Sequence, residues 1–280
     1  MPELSILMPV YNERGTVARA IEEVQNAELP VDGVEFVVID DGSTDGTREL
    51  LRELAADDGF RLVEHPRNKG KGAAIRTGLA EANGRWTTIL DADLEYSPAS
   101  LAELLGPLID GYADAVYGTR AFQAHSAYSF WYVAGNKAVT FACNLLYNAW
   151  LSDIMTCHKV MPTELFQSLN LCENGFGIEP EITARLLQSK RTIFEVPIPY
   201  RARRREAGKK LTGYDGLRTL RTLARCRVTR PTRRPPPPQC SKPAASPTPG
   251  SRSVVSERTR DGSVHGTGDA QQSSPSAGTK

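Results

Sequence analysis

The sequence predicts an α/β fold: a mostly parallel sheet flanked by helices, followed by a disordered C-terminal tail. Three observations predict it. Short apolar runs alternate with amphipathic runs over the first 120 residues, the pattern of strands joined by crossover helices. Several of these apolar runs stop at acidic or polar residues, where a parallel sheet opens its ligand crevice. From Thr229 onward there is no Leu, Ile, Phe, Tyr, Trp or Met, and such a segment cannot bury enough apolar surface to offset its ordering entropy.

Leu4 to Val10 (LSILMPV) reads as a buried strand, and Arg14 to Asn26 as a helix with Val17, Ala20, Ile21 and Val24 on one side. Glu35 to Asp40 is a second strand. Ser43 or Thr44 caps a helix over 45–57, with Leu50, Leu51 and Leu54 inward. Phe60 to Glu64 is a third strand, followed by a helix from Gly70 to Asn83. Trp86 to Leu90 is a fourth strand, and Pro98 to Asp110 a helix with its proline in the first turn. Ala113 to Tyr117 is a fifth strand. The run 126–150 is aromatic-rich and uncharged apart from Lys137; it reads as a helix pair, either buried in the core or resting on a lipid interface. A helix is expected at Glu179 to Ser189 and a strand at Ile193 to Val196. Residues 214–227 form a basic amphipathic helix, with Leu217, Leu220, Leu223 and Ala224 on one face and Arg218, Arg221, Arg225 and Arg227 around the rest. It is either a solvated surface helix or one that lies on anionic lipid, and the aromatic run nearby favours lipid.

The 280 residues carry a formal net charge of +1, an average over unlike parts. Residues 1–200 hold 16 Lys/Arg against 28 Asp/Glu, a net of −12. Residues 201–234 hold 13 against 2, a net of +11, and residues 235–280 hold 5 against 3. Nine of the 19 prolines lie in 231–280. The expected organisation is a folded domain over 1–228, with a ligand-binding half at 1–120, where strand ends open a crevice, and a membrane-facing half at 121–228, then a dispensable tail at 229–280. Five cysteines form no CxxC pair, which argues against a zinc site or disulfide framework and fits a reducing cytoplasm. No signal peptide is read at the start, and no stretch reaches the roughly 20 apolar residues that span a bilayer. Nucleic acid is disfavoured by the acidic body and the lack of a recognition motif.

The strongest chemical signal is Asp91-Ala92-Asp93, directly after the fourth strand. Two carboxylates one residue apart repel each other and are stabilised by a shared cation; hard oxygen ligands suit Mg²⁺ or Mn²⁺, which bridge protein carboxylates to substrate phosphates. The second strand ends at Asp40-Asp41-Gly42-Ser43 and the first at Pro9-Val10-Tyr11-Asn12-Glu13, so three strand ends present polar groups to one crevice. Asp40 is expected to meet a base or ribose there. The segment Asn68 to Gly72 lacks P-loop spacing, and its glycines read as a tight entry to the following helix. Guanidinium groups pair bidentately with phosphate, and Arg203, Arg204 and Arg205 suit the positioning of one. Where a hydroxyl must be activated, Asp153 is the candidate base, with Glu179 and Glu181 in reserve. His158 reads as a packed histidine rather than a metal ligand.

In this order and spacing, MPVYNE, VVIDDGSTDGT, HPRNKGKGAAIRTGL and LDADLEYSP resemble family 2 inverting glycosyltransferases of the GT-A fold. Later pieces, YGTR, DIMTCHK, FGIEPEITARL and VPIPYRARRREAGKKLTGYDGLRTL, resemble the polyprenyl- and dolichyl-phosphate mannose and glucose synthase branch. The resemblance implies Pro9, Tyr11 and Glu13 at the nucleotide base and ribose, with Asp40 beside them. It implies Asp91 and Asp93 at the diphosphate through the metal, with Glu95 as a further metal or phosphate contact. Arg120, Arg205 and Lys210 would then contact the donor diphosphate or acceptor phosphate. The implied donor is a GDP- or UDP-sugar and the implied acceptor polyprenyl phosphate. The implied setting is peripheral, at the cytoplasmic face of a membrane, with a membrane-protein partner possible. Two alternatives stay open: a soluble transferase acting on a glycan or small hydroxyl compound, and a non-catalytic membrane-docking module. A dinucleotide-dependent hydride transfer is disfavoured, because no GxGxxG follows the first strand.

Overall fold

The sheet grows outward from LSILMPV, a run with apolar side chains on both faces. That is the signature of a strand covered on both sides, and this strand, β1 (Leu4–Val10), is buried almost throughout. In the computed structural model, which describes residues 2–57, 59–120, 130–201 and 213–229, β1 pairs in parallel with β2 (Val34–Asp40) and with β4 (Trp86–Ile89). The strand β3 (Arg61–Glu64) adds in parallel outside β2. The chain continues through β5 (Ala115–Thr119), β6 (Lys159–Pro162) and β7 (Ile193–Pro197). The spatial order is β3-β2-β1-β4-β6-β5-β7, with β6 antiparallel to both β4 and β5, and β7 parallel to β5.

Helices cover both faces. On one, α1 (Val17–Gln25), α2 (Thr47–Asp57) and α4 (Leu101–Ile109) close over Ile6, Met8, Val10 and Val38. On the other, α3 (Lys71–Glu81), α6 (Thr163–Ser168) and α7 (Ile178–Gln188) close over Leu7, Val37, Ile39 and Tyr117. A third cluster joins α5 (Phe130–Tyr147), α7 and α8 (Gly213–Val228) through Val139, Cys143, Ile154, Ala184, Leu223 and Cys226.

Most expected elements appear, with differences that have local causes. The helix at Pro98 starts as a single 3₁₀ turn, Pro98–Ser100, before α4. The aromatic run contributes one helix, α5, among the described residues, and positions 121–129 lie outside them. The strand β6 and the short helix α6 were not anticipated. KVMP is only four residues long and begins with a lysine, so neither length nor alternation marks it as a strand. In α8 the helix turns Thr219, Thr222, Leu223 and Cys226 inward and leaves Leu217, Leu220, Ala224 and Val228 outward. Leu223 therefore parts from the other leucines. The expected tail at 229–280 lies outside the described residues beyond Thr229.

Two glycines are required at the entry to α3. Gly70 has φ +97, and a Cβ there would sit 2.3 Å from the Asn174 carbonyl oxygen. A Cβ on Gly72 would sit 2.3 Å from the Glu173 carbonyl oxygen. The backbone at 173–175 is thus packed directly against the start of α3, a contact only glycine permits.

Candidate active site

The carboxyl ends of β1, β2 and β4 and the start of α3 surround a cavity of about 350 Å³. Pro9 lines it from the end of β1, Tyr11 and Glu13 from the segment after β1, and Asp91, Asp93, Glu95 and Tyr96 from the segment after β4. Arg120 enters from the end of β5; Met155 and Cys157 come from the segment before β6; Phe176 and Glu179 come from the start of α7. Seven residues expected from the sequence therefore share one wall system: Pro9, Tyr11, Glu13, Asp91, Asp93, Glu95 and Arg120.

Asp40 is not among the lining residues; Asp41 is. The reason is strand parity. Asp40 lies on the Val38 side of β2, is fully buried, and accepts hydrogen bonds from Arg48 Nε of α2 at 2.7 Å and from the Ser43 amide at 3.1 Å. Asp41 lies on the α3 side. Its carboxylate accepts the Lys69 amide at 2.9 Å and the Gly70 amide at 2.7 Å, and pairs with His65 Nδ1 at 2.6 Å. It thereby fixes the loop that delivers Lys71.

Lys71 is the cation that sequence reasoning passed over. Its ammonium donates to Asp91 Oδ2 at 2.8 Å and lies 2.9 Å from Glu179 Oε1 and 3.0 Å from Cys157 Sγ. Burial alone would lower its pKa, but Asp91, Cys157 and Glu179 outweigh burial and hold it well above the ordinary lysine value. Asp91 is correspondingly held below the carboxylate range by Lys71, against the opposing effect of its own burial. The available signal was a lysine in the first turn of a helix whose amino end faces the DAD motif. Its glycine-rich surroundings drew attention to backbone shape instead.

Asp153 is engaged from several sides. It takes Arg120 in a two-point contact, 2.6 Å from Nε and 2.9 Å from a terminal nitrogen, and also accepts Asn136 Nδ2 and the Met155 amide at 3.1 Å each. Burial would raise its pKa, but the Arg120 charge and the hydrogen bonds outweigh burial and lower it. Arg120 also lies 5.1 Å from the Tyr200 ring centroid, and the Tyr200 hydroxyl donates to Glu95. Glu179 and Glu181 are both buried in the first turn of α7. Glu179 Oε2 has no hydrogen-bond partner among the described residues. His158 is fully buried and stacks on Tyr96 at 5.0 Å, and its burial pushes its pKa down to about 4. It is a neutral, packed ring at pH 7. Arg203, Arg204, Arg205 and Lys210 lie outside the described residues.

The donor chemistry of the cavity fits a hard divalent cation: Asp91, Asp93 and Glu95 line it with carboxylates, and Glu179 holds a buried oxygen with no hydrogen-bond partner among the described residues. Among the described residues no three His, Cys, Asp or Glu side chains are gathered around a single point.

The mostly parallel seven-stranded sheet, flanked by helices and opening a cavity at its strand ends, has the GT-A fold. Glucosyl-3-phosphoglycerate synthase from Mycobacterium tuberculosis, solved with uridine diphosphate, superposes with a TM-score of 0.61 at 23% identity over 81% of each chain; the same protein has also been solved with Mn²⁺, uridine diphosphate and phosphoglyceric acid. Residues 5–169 match the family model of glycosyl transferase family 2, and the chain belongs to that family. It is 32% identical over 196 residues to glycosyltransferase AglJ of Haloferax volcanii, covering 69% of this chain and 61% of that protein. It is 38% identical over 112 residues to the undecaprenyl-phosphate 4-deoxy-4-formamido-L-arabinose transferase of Aeromonas hydrophila, covering 39% of this chain and 34% of that one. The chain thus spans between about a third and three fifths of the length of these relatives.

Proposed function

We propose that this chain moves a sugar, with inversion, from a GDP- or UDP-sugar to polyprenyl phosphate at the cytoplasmic face of a membrane, to which it binds peripherally, by itself or with a membrane-protein partner. The observation that carries the donor side is the cavity that Asp91, Asp93 and Glu95 line together with Lys71, which is paired with Asp91, and Arg120. A nucleotide diphosphate leaves only as its growing negative charge is neutralised. Lys71 and Arg120 are fixed cations suited to that. Asp91, Asp93 and Glu95 would hold Mg²⁺ or Mn²⁺, which would supply further neutralisation of the diphosphate when bound. Pro9, Tyr11 and Glu13 lie on the same wall, where a base and ribose would seat.

The acceptor side follows from Asp153. A carboxylate gripped by Arg120 and Asn136, with its pKa lowered, is a weak general base. A lipid phosphate is already ionised near neutral pH and needs none. The match to undecaprenyl-phosphate transferases supports the same acceptor class. Surface chemistry supports the membrane. On α5, Phe130, Phe141 and Leu145 point outward, and Trp150 beyond it is 92% exposed. On α8, Leu217 is 65% exposed, and Arg221 and Arg227 are exposed on the same helix. Aromatic and leucine side chains beside arginines suit an anionic lipid interface. No helix among the described residues is long and apolar enough to cross a membrane. A hydroxyl acceptor is the second reading, and Glu179, with its unpartnered buried oxygen, would be its base.

The test is transfer of label from GDP- and UDP-sugars into the lipid phase, with polyprenyl phosphate and Mg²⁺ or Mn²⁺. Label in lipid with one donor supports the reading. Nucleotide binding without lipid labelling by any donor defeats it, and liposome flotation without any transfer activity would indicate a docking module.

Asp153→Asn and Glu179→Gln together separate the two acceptors, because a hydroxyl acceptor needs one of these two carboxylates as its base. With a phosphate acceptor, turnover of each folded variant should stay within about ten-fold of wild type, short of what loss of a general base costs. Stability of Asp153→Asn should fall by about 3 kcal/mol, because a buried two-point ion pair is broken. The lowered Asp153 pKa means the pair stabilises the fold above the ordinary value of 3.8 and loses that effect as pH falls through the folded-state value. Urea melts should therefore show a shallower acid limb in Asp153→Asn than in wild type.

A further inference from the structure

We infer that Lys159 is a positioning residue, an internal clamp that holds the segment 153–157 in the shape that builds one wall of the cavity. Lys159 opens β6 and is fully buried. In the sheet it stands directly opposite Tyr117 of β5, and its ammonium lies 4.7 Å from the centroid of that ring. The Tyr117 hydroxyl is in turn within 3.1 Å of Thr183 Oγ1 on α7. From this fixed seat, Lys159 Nζ donates to the backbone carbonyl of Ile154 at 3.2 Å and to that of Thr156. The two carbonyls alternate with Asp153, Met155 and Cys157. Asp153 anchors Arg120, while Met155 and Cys157 line the cavity, with Cys157 beside Lys71. One ammonium therefore holds together a segment with three separate links to the site.

The chemistry is specific. A buried ammonium is a costly way to satisfy two carbonyls. Burial pushes Lys159 down to about 8, against the opposing pull of Glu179, Cys157 and Asp153 and with a smaller downward effect from Lys71. The titratable groups around it are thus Asp153 and Cys157 on the clamped segment, Glu179 on α7, Lys71 on α3 and Tyr117 on β5. Asp153 is lowered from its ordinary value, and Lys71, Cys157 and Tyr117 are all raised from theirs. Because a depressed lysine costs folding free energy while it is charged, its deprotonation above about 8 raises global stability as it weakens the clamp. The clamp and the fold therefore respond in opposite directions.

The inference rests on the cavity being the transfer site, so the experiment has a readout independent of turnover. Lys159→Met keeps the stem and removes the ammonium. Its melting temperature should change little, the relieved burial of a charge offsetting the two carbonyl bonds lost, while turnover falls about ten-fold or more through misplacement of the wall, with less change in donor KM. Alkylation of Cys157 should quicken several-fold. Turnover within two-fold of wild type in a folded variant, or activity that only tracks a lowered melting temperature, overturns the inference. Should the variant fail to fold, native-state hydrogen exchange on wild type decides. Between pH 7 and 9, after correction for intrinsic rates, protection of the 155–158 amides should drop while that of β1 holds; equal behaviour of both segments overturns it. If lipid transfer is absent altogether, the exchange and alkylation results still stand or fall by themselves.

Discussion

Asp93→Ala is expected to lower sugar transfer by about two to three orders of magnitude, the usual cost of removing one charge-stabilising group from a preorganised site. The two acids of the DAD motif are not equivalent. Asp91 is partnered by Lys71 at 2.8 Å. Asp93 lies two residues further along the chain and also lines the cavity, and its Oδ1 accepts the Glu95 amide at 3.1 Å within its own turn. Replacing it removes a carboxylate that a donor-bound cation would use, without opening the sheet. Melting temperature without ligand should change little, and the thermal shift produced by Mn²⁺ together with a nucleotide diphosphate should largely disappear. Transfer within three-fold of wild type would remove Asp93 from the proposed site. Asp93→Asn, which keeps the turn hydrogen bond, should be nearly as inactive if charge is what matters.

The second large effect is expected at Lys71. One ammonium holds both Asp91 and Glu179 within 3 Å in a buried setting. Lys71→Met leaves the two carboxylates facing each other with that cation gone, which should cost about 3–5 kcal/mol in the unliganded protein. It also removes a fixed positive charge from the cavity, so transfer should fall by about two orders of magnitude. A diagnostic accompanies the loss. Mn²⁺ alone should restore part of the stability of the variant, because a divalent ion can take the place of the ammonium between two hard oxygen ligands. Melting curves with and without Mn²⁺ test this directly. A variant as stable as wild type and indifferent to Mn²⁺ would falsify the assignment of Lys71 as the bridging charge.

The strands β1, β2 and β4 were legible because each is an unbroken apolar run ending in polar residues, and the DAD motif was legible because it follows one of them. The face on which each side chain lies was not. A strand covered on both sides carries no alternation, so nothing in EFVVIDD tells that Asp41 turns toward α3 and Asp40 toward Arg48. Lys71 and Lys159 escaped for a related reason: a lysine in sequence reads as solvent-facing, and only the assembled fold buries Lys159 and partly buries Lys71. The amphipathic character of α8 was visible, whereas the inward turn of Thr219 and Thr222 in place of Leu217 and Leu220 depends on what α8 meets. Arg225 bridges Glu173 and Glu181, and Thr222 donates to Glu173. Those partners lie about 45 residues upstream, beyond the reach of any local pattern.

The antiparallel insertion of β6 has a consequence for the order in which the molecule is made. β6 lies between β4 and β5, and β5 has no other neighbour than β6 and β7. On the ribosome, a nascent chain that has emerged only as far as Arg120 has β1, β2 and β3 ready to pair, but β4 waits with one open edge and β5 with two. Exposed edges of this kind recruit foreign strands; the gap between β4 and β5 closes only after Pro162 has cleared the exit tunnel, and the outer edge of β5 only after Pro197. The central seam of the sheet therefore waits for a strand made about forty residues after β5, and the candidate cavity, which draws residues from both sides of that seam, cannot exist before then.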